Sequence, residues 1–294
     1  MKHIKSLFNK TLFTFCLAVL VSLTAKSQGC SDAGFCTLGA MDGGTQHGED
    51  SKYSLNLVQT FEAAADEVFV FKTKLRTSIY LSSLSSLELT LPFTLSNGPL
   101  GSLQHLGDPS LVWVNQWTQN SDLNFKTSLG IKLPSNQGDL ADDLNRHLPM
   151  VYQPSLGTYD ALVGVSFNLY KISVSVGSQI VLNSTNSNNY TPILFDPDLA
   201  KPSTPYTNPI RKSDLLLRLN RGFKISESNT ISGGILALYH LGEDEYENLL
   251  TQTTESIEGS DGLTLNLNFG YTKSFENNQQ LDLGVAFPVL TRET

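Results

Sequence analysis

The side chains that could act as a nucleophile, a base or a metal ligand are scattered along this sequence. The sequence has no Gly-x-Ser-x-Gly elbow, which would expose a nucleophilic serine, and no His-x-x-x-His pair, which would place two ligands on one metal. After residue 27 the histidines are His47, His105, His147 and His240. His240 ends a strand-like run, where a serine on the same sheet face would suggest a hydrolase, but a surface or loop position is favoured. We therefore expect no enzyme activity.

Two acidic groups are the remaining candidates for an ion site. Asp139, Asp142 and Asp143 form one group, and Asp196 and Asp198 form the other. Carboxylate oxygens suit Ca²⁺, but neither group has the spacing of a known calcium loop. Solvated loop charge is the favoured interpretation, so we expect neither a metal nor a cofactor.

The N-terminus has the three parts of a secretory signal peptide. Three lysines precede an apolar run from Leu12 to Leu23, and a small-residue exit follows at 24–27. A run of about twelve residues is short of the roughly twenty that a membrane-spanning helix needs. We predict that residues 1–27 are removed and that residues 28–50 form an N-terminal segment.

Two cysteines lie in that N-terminal segment. Cys30 and Cys36 are an even pair in a chain bound for an oxidising compartment, which predicts a disulfide between them. The metal alternative lacks further cysteines or paired histidines, and the haem alternative lacks a Cys-x-x-Cys-His motif. A lipid anchor on Cys30 is a weaker alternative, because residues 26–29 separate it from the apolar run.

The charge balance limits the possible partners. The formal net charge is −8, and it becomes −12 once the four lysines of residues 1–27 are removed. An acidic chain without a basic stripe is a poor candidate for nucleic-acid binding. No stretch after Leu23 is apolar enough for a membrane helix, so any membrane location requires a closed sheet.

From residue 51 onward the dominant pattern has a period of two, which is typical of strands. Between Leu123 and Leu133, apolar residues alternate with Asn, Lys, Ser and Gly. The clear runs cover about 123–133, 160–169, 172–183, 214–220, 263–272 and 281–287, and weaker runs cover about 52–61, 68–75, 78–84, 87–93, 111–118 and 230–239. The runs at 160–169 and 172–183 predict a hairpin.

The composition of the two faces favours a membrane over water. A soluble β-sandwich or lipocalin-like barrel also alternates, but its outward face would carry more Lys and Glu than a chain with only 16% charged residues provides. Aromatic residues near run ends are candidates for interface girdles, namely Tyr53, Phe61, Trp113, Trp117, Tyr170, Tyr239 and Tyr271. The connections also alternate between short and long. The sequence thus predicts an all-β protein, an antiparallel transmembrane β-barrel of about twelve strands over residues 51–294, with long loops on one side.

The charges on the polar face would then line the lumen and set its preference for solutes. They are Glu88, Lys126, Lys132, Asp160, Asp214, Arg218 and Asp282. Mutual pairing inside a narrow barrel is the alternative role for these side chains.

Several segments resemble an outer-membrane protein family named for the meta-pathway of phenol degradation, whose members are often called transporters. The resemblance covers about residues 87–218, through turn-and-strand motifs at Leu89–Phe93, Leu106–Leu111, Gly130–Ser135, Tyr152–Asp160 and Arg211–Arg218. It implies a barrel related to transporters of hydrophobic or aromatic compounds, with a strand that ends in a proline turn near Phe93.

Two functions follow as hypotheses. The first is a channel or transporter in the outer membrane, in contact with its lipid, that passes a small, hydrophobic or aromatic solute and uses the long loops as a gate or plug. The second is a closed barrel that serves as a structural or partner-docking protein. An enzyme embedded in the barrel is the least favoured class, for lack of a paired nucleophile and base.

Overall fold

The computed structural model describes residues 52–118, 123–195, 206–248, 251–276 and 279–292. The predicted signal peptide and the predicted Cys30–Cys36 disulfide lie outside these residues. Within them, no helix is long and apolar enough to cross a membrane.

Sixteen strands and three short 3-10 turns make up the described structure. The first eight strands are β1 (Tyr53–Ala63), β2 (Phe69–Tyr80), β3 (Ser85–Gly98), β4 (Gly101–Leu106), β5 (Ser110–Gln116), β6 (Leu123–Lys132), β7 (Thr158–Leu169) and β8 (Ile172–Ser184). The rest are β9 (Asn189–Tyr190), β10 (Tyr206–Thr207), β11 (Asp214–Ser226), β12 (Asn229–His240), β13 (Glu245–Asn248), β14 (Thr253–Ser256), β15 (Gly262–Ser274) and β16 (Gln280–Leu290). The 3-10 turns cover Ala65–Glu67, Met150–Tyr152 and Pro192–Leu194.

Twelve of these strands form one antiparallel sheet in the order β1-β2-β3-β5-β6-β7-β8-β11-β12-β15-β16, with β4 beside β3. The predicted hairpin of residues 160–169 and 172–183 is confirmed as β7 and β8. No register pair among the described residues joins β1 to β16. The two other small sheets, β9 with β10 and β13 with β14, lie in the connections.

Strands β4 and β5 share one position beside β3. Residues 93–98 of β3 pair with β4, and residues 85–90 pair with β5. Pro92 falls between these two stretches, where its missing N–H breaks no ladder bond on that side, and its carbonyl accepts the Gly107 N–H at 2.9 Å. The strand therefore runs through Pro92 to Gly98, and the expected proline turn near Phe93 is wrong. The run at 78–84 is also not a separate strand, because Ser78–Tyr80 completes β2.

The sheet has one apolar face and one polar face, and it is the apolar face that is exposed. Leu129 is 56% exposed and Val163 is 41% exposed, whereas Lys132 and Asp160, on the opposite face, are 4% and 1% exposed. A soluble protein buries its apolar side chains and leaves its charges in water. The reversed arrangement is the one that a barrel in lipid requires.

The two ends of the sheet differ in the length of their connections. At the end called here the short-turn end, the connections are 81–84, 117–122, 170–171, 227–228 and 275–279. At the other end, called the long-loop end, 133–157, 185–213 and 241–261 are long, while 64–68 and 99–100 are short. The predicted asymmetry of the loops is therefore present, carried by three of the five connections at that end.

A charge placed on the apolar face will test whether that face contacts lipid. Val163 lies in the middle of β7 and Leu169 lies at its end, both on the apolar face. We expect Val163→Lys to lower the free energy of unfolding in lipid vesicles by about 2–4 kcal/mol and Leu169→Lys by only about 0–1 kcal/mol, because the cost of a charge falls with distance from the bilayer midplane. Urea titration and heat-modifiable gel migration measure this. Equal effects of the two variants would contradict a lipid-facing surface.

Candidate functional site

A row of buried polar side chains crosses the polar face, in the middle of β2 and β3 and at the long-loop ends of the strands from β5 to β12. Cross-strand register and hydrogen bonds connect its members from β2 to β12. This polar row consists of Arg76, Thr90, Ser110, Lys132, Asp160, Gln179, Asp214 and His240, each less than a tenth exposed. Because burying charge is costly unless it is paired, the pairing within the row determines what the site can do.

Lys132 is the centre of the first charge cluster in the row. Its Nζ lies 2.7 Å from Asp160 Oδ2 and 3.5 Å from Asp108 Oδ2. Asp160 Oδ2 also accepts hydrogen bonds from Gln179 Nε2 at 2.7 Å and Thr158 Oγ1 at 3.1 Å. Asp108 in turn accepts the backbone N–H groups of residues 135 and 156. One buried ammonium thus connects the sheet to both ends of the connection 133–157.

His240 is the centre of the second charge cluster. Its Nδ1 lies 2.6 Å from Asp214 Oδ1, and its Nε2 lies 2.8 Å from Asp244 Oδ1. Arg211 NH2 donates to Asp214 Oδ2 at 3.0 Å. The histidine is buried, so the expected surface or loop position is wrong. Both ring nitrogens face carboxylates, and neither is available to activate a serine.

All seven charges predicted to line the lumen lie on the polar face, but they do not form one group. Lys132, Asp160 and Asp214 belong to the polar row, and Arg218 is half-buried further along β11. The remaining three lie towards the short-turn end, namely Glu88 and Lys126, which interact electrostatically, and the exposed Asp282. Their role in lining a solute path is still a prediction.

An apolar layer lies on the same face, one step from the polar row towards the short-turn end. Each of its four residues lies two positions from a member of the polar row on the same strand: Val112 from Ser110, Leu162 from Asp160, Leu216 from Asp214 and Leu238 from His240. All four are 1–2% exposed. Beyond this layer the face opens along β11, where Asn220 and Gly222 are half-buried and Lys224 is exposed. On β6, β7 and β8 it stays buried one or two steps further, at Ser128, Ser166 and Ser175. The polar face is therefore closed at the long-loop end and becomes accessible towards the short-turn end along β11.

Residues 133–157 and 185–195, from two of the long connections, fold into a cap at the long-loop end. Its core contains Val68, Val70, Leu148, Tyr152, Tyr190 and Phe195. Asn188, which is fully buried, fastens the two connections through hydrogen bonds from Nδ2 to the carbonyls of Gly138 at 2.6 Å and Leu148 at 2.9 Å. Since Val68 and Val70 flank the start of β2, the core also attaches the cap to the wall.

Tyr152 packs the cap against β3. Its carbonyl accepts from Ser96 Oγ at 2.7 Å, and its hydroxyl oxygen accepts the Leu100 N–H at 3.0 Å. A β-carbon at Gly98 would overlap that hydroxyl, so a glycine is needed at this position for the approach. Burial raises the pKa of the Tyr152 hydroxyl, which keeps it neutral in its contact with the wall.

The exposed part of the cap is held by Asp142 and Arg146. Arg146 donates from Nε at 2.8 Å and NH2 at 2.6 Å to Asp142 Oδ2, and NH1 donates to the carbonyl of Leu194 at 2.9 Å. Desolvation opposes the charge of Asp142, but the hydrogen bonds from Arg146 and from the Leu144 N–H outweigh it and lower the pKa of the carboxyl. This contact is thus present at neutral pH and is lost only in acid, as Asp142 takes up a proton.

In the parts of the chain that the structure describes, no group of three or more His, Cys, Asp or Glu side chains is arranged to hold a metal ion. The predicted acidic group at 139–143 instead makes internal contacts, since Asp139 accepts from Ser187 and Asp142 from Arg146. Asp196 and Asp198 lie outside the described residues.

Comparison with known proteins identifies the fold class. No family model matches the chain, and no curated protein matches it. Among solved structures, the chain is similar to the crystal structure of the COG4313 outer membrane channel from Pseudomonas putida F1, with a TM-score of 0.53 and 15% sequence identity over 82% of this chain and 86% of that one. At this identity the likeness shows the fold, which is an all-β antiparallel barrel of about twelve strands. The polar face described above is then the inner wall of the barrel.

Removing the charge of Lys132 will show how strongly the first cluster depends on it. Lys132→Met leaves Asp108 and Asp160 buried without their cation, which should cost about 3–5 kcal/mol of unfolding free energy. Combining it with Asp160→Asn should restore part of that loss. Lys212→Met is the matched control, because its partner Glu245 and Lys212 itself are about one-third exposed, and such pairs contribute about 0–1 kcal/mol. Additive losses in the double variant, measured by urea titration, would contradict a coupled pair.

Proposed function

We propose that this protein is an outer-membrane channel that passes a small apolar or aromatic solute, with the cap and the apolar layer as its closing elements. The observation that carries the proposal is the apolar layer on an otherwise polar inner wall. The likeness in fold to an outer membrane channel supports the same class of function.

The apolar layer favours this solute class for a physical reason. A hydrophobic constriction in a pore excludes water and ions by dewetting, whereas an apolar solute loses little on entering it. Val112, Leu162, Leu216 and Leu238 would form such a constriction, next to a row whose charges are paired. The aromatic and aliphatic core of the cap offers the same chemistry at the long-loop end.

Flux measurements in lipid vesicles test the transport claim. Vesicles that contain the purified protein should take up an aromatic alcohol faster than empty vesicles, and faster than they take up a sugar of similar mass. Uptake equal to that of empty vesicles for both probes would contradict transport. Preference for the sugar would retain a channel but reject the solute class.

A pair of adjacent substitutions on β11 tests the apolar layer. Leu216 lies on the inner wall of the barrel, and Leu217 lies on the apolar outer face, where it is 41% exposed. Leu216→Ser should raise single-channel ion conductance several-fold, because a hydroxyl in the constriction favours wetting. Leu217→Ser should leave conductance unchanged. If both variants conduct like the wild type, the apolar layer is not the barrier to ions.

A closed barrel that docks a partner is the second candidate. The burial of the inner wall near the long-loop end favours this closed barrel, because a filled interior leaves no continuous path for a solute. In-cell cross-linking followed by affinity purification distinguishes the two. A stable partner together with no flux of either probe supports docking, and flux without a partner supports the channel.

A further inference from the structure

His240 contacts one carboxylate from the neighbouring strand and one from the connection that follows its own strand. Asp214 opens β11, His240 closes β12, and Asp244 lies in the connection that follows. The ring is 1% exposed, and its two nitrogens contact one carboxylate each, at 2.6 Å and 2.8 Å. We call this arrangement of Asp214, His240 and Asp244 the histidine clamp.

The clamp requires two protons on the imidazole ring. A carboxylate is only an acceptor, so each ring nitrogen must donate, whereas a neutral imidazole has one N–H and one bare nitrogen. The charges agree with this protonation. A doubly protonated His240 and Arg211 balance the carboxylates of Asp214 and Asp244, and a neutral ring would leave the partly buried charge of Asp244 uncompensated.

The other elements around the ring bring two cations, and each is already paired. The segment before β11 contributes Arg211, which contacts Asp214, and Lys212, whose backbone N–H donates to Asp244 Oδ1 at 2.8 Å. The Lys212 ammonium instead contacts Glu245 at 2.8 Å. Strand β15 places Gly262 opposite His240 and brings no titratable side chain there.

Asp244 holds the base of the hairpin formed by β13 and β14. Its backbone N–H donates to Ser260 Oγ at 2.8 Å, and its carbonyl accepts the Ile257 N–H at 2.7 Å. Its side chain, through Oδ1, accepts from both His240 and the Lys212 backbone. Strand β13 is attached separately, through two backbone hydrogen bonds between Glu245 and Ile210 at 2.7 and 3.0 Å and the Lys212–Glu245 ion pair. Asp244 is thus the contact that joins the base of the hairpin to the ring of His240.

From this geometry we propose that the histidine clamp is a pH-dependent latch, which holds the base of the β13–β14 hairpin against the barrel while His240 carries both ring protons and loosens it when one is lost to solvent. The proton to leave is the one on Nε2. Asp214 is 2% exposed and also bonded to Arg211, whereas the Asp244 side chain is 19% exposed. A neutral ring therefore keeps Nδ1–H on Asp214 and turns a bare nitrogen towards Asp244. The proposal does not depend on solute flux.

Amide hydrogen exchange on the full-length protein in lipid nanodiscs tests the latch. Protection of residues 244–260, corrected for the intrinsic effect of pH, should fall about tenfold or more between about pH 5.5 and about pH 9.5, because a charge-assisted hydrogen bond is lost. Ring ¹⁵N shifts of labelled histidine follow the protonation of His240 in the same samples.

Two variants and one control make the test specific. Asp244→Asn should give similar protection at both pH values, because the neutral amide still accepts from Lys212 and can donate to a bare ring nitrogen. His240→Gln should show low protection throughout. His147→Gln is the control and should keep the wild-type pH dependence, since the His147 ring accepts the Asn189 N–H within the cap.

The outcomes that overturn the latch are distinct. One is a His240 that loses a proton in this range while the hairpin keeps its protection. Another is a ring that carries both protons, or only one, at every pH tested. A wild-type pH dependence in Asp244→Asn would also reject Asp244 as the contact that is released.

Discussion

The structure depends on the reversed polarity of its sheet. A barrel in lipid must present apolar side chains outward and satisfy all backbone groups between strands, so polar and charged side chains have only the inner wall to occupy. In this protein they are also deeply buried there, as Asp160 and His240 show. Buried charges require partners, and this requirement explains why Lys132 lies between two carboxylates and why His240 does as well.

The fold could be predicted from the sequence because its signal is local. A period of two over about ten residues sets both the strand and its two faces, as in Leu123–Leu133, and it needs no knowledge of distant residues. The errors arose where the signal is not local. Residues 78–84 alternate across the end of β2, and β4 is short, with the break at Gly107–Pro109 opposite Pro92. The prediction included one strand that does not exist, at 78–84, and omitted β4. The two errors cancel, so the expected count of about twelve is correct partly by coincidence.

The site was only half predictable, for a related reason. Alternation assigns Lys132, Asp160 and Asp214 to the polar face, but which charges meet depends on register between strands and on the loops. Asp108 and Asp244 lie in connections, where no periodicity reports direction, and His240 looked isolated because its partners are 26 and 4 residues away. A usable signal existed, since a histidine that ends one strand of a hairpin faces the residue that opens the other. The segments behind the family resemblance also contain Asp108, Lys132 and Asp160 of the first charge cluster and Arg211 and Asp214 of the second.

The two charge clusters have the same design, and this bears on why they exist at all. Apolar residues of similar volume often stabilise a protein as well as a buried ion pair does, or better, so stability alone does not explain Lys132 or His240. Each cluster instead joins the barrel wall to a long connection: Lys132 reaches the connection 133–157 through Asp108, and His240 reaches the β13–β14 hairpin through Asp244. Apolar packing, which also attaches the connection 133–157 through the core of the cap, does not respond to proton or salt concentration. A charged contact holds them conditionally, and conditional closure is what a barrel with a filled long-loop end needs if it is ever to open.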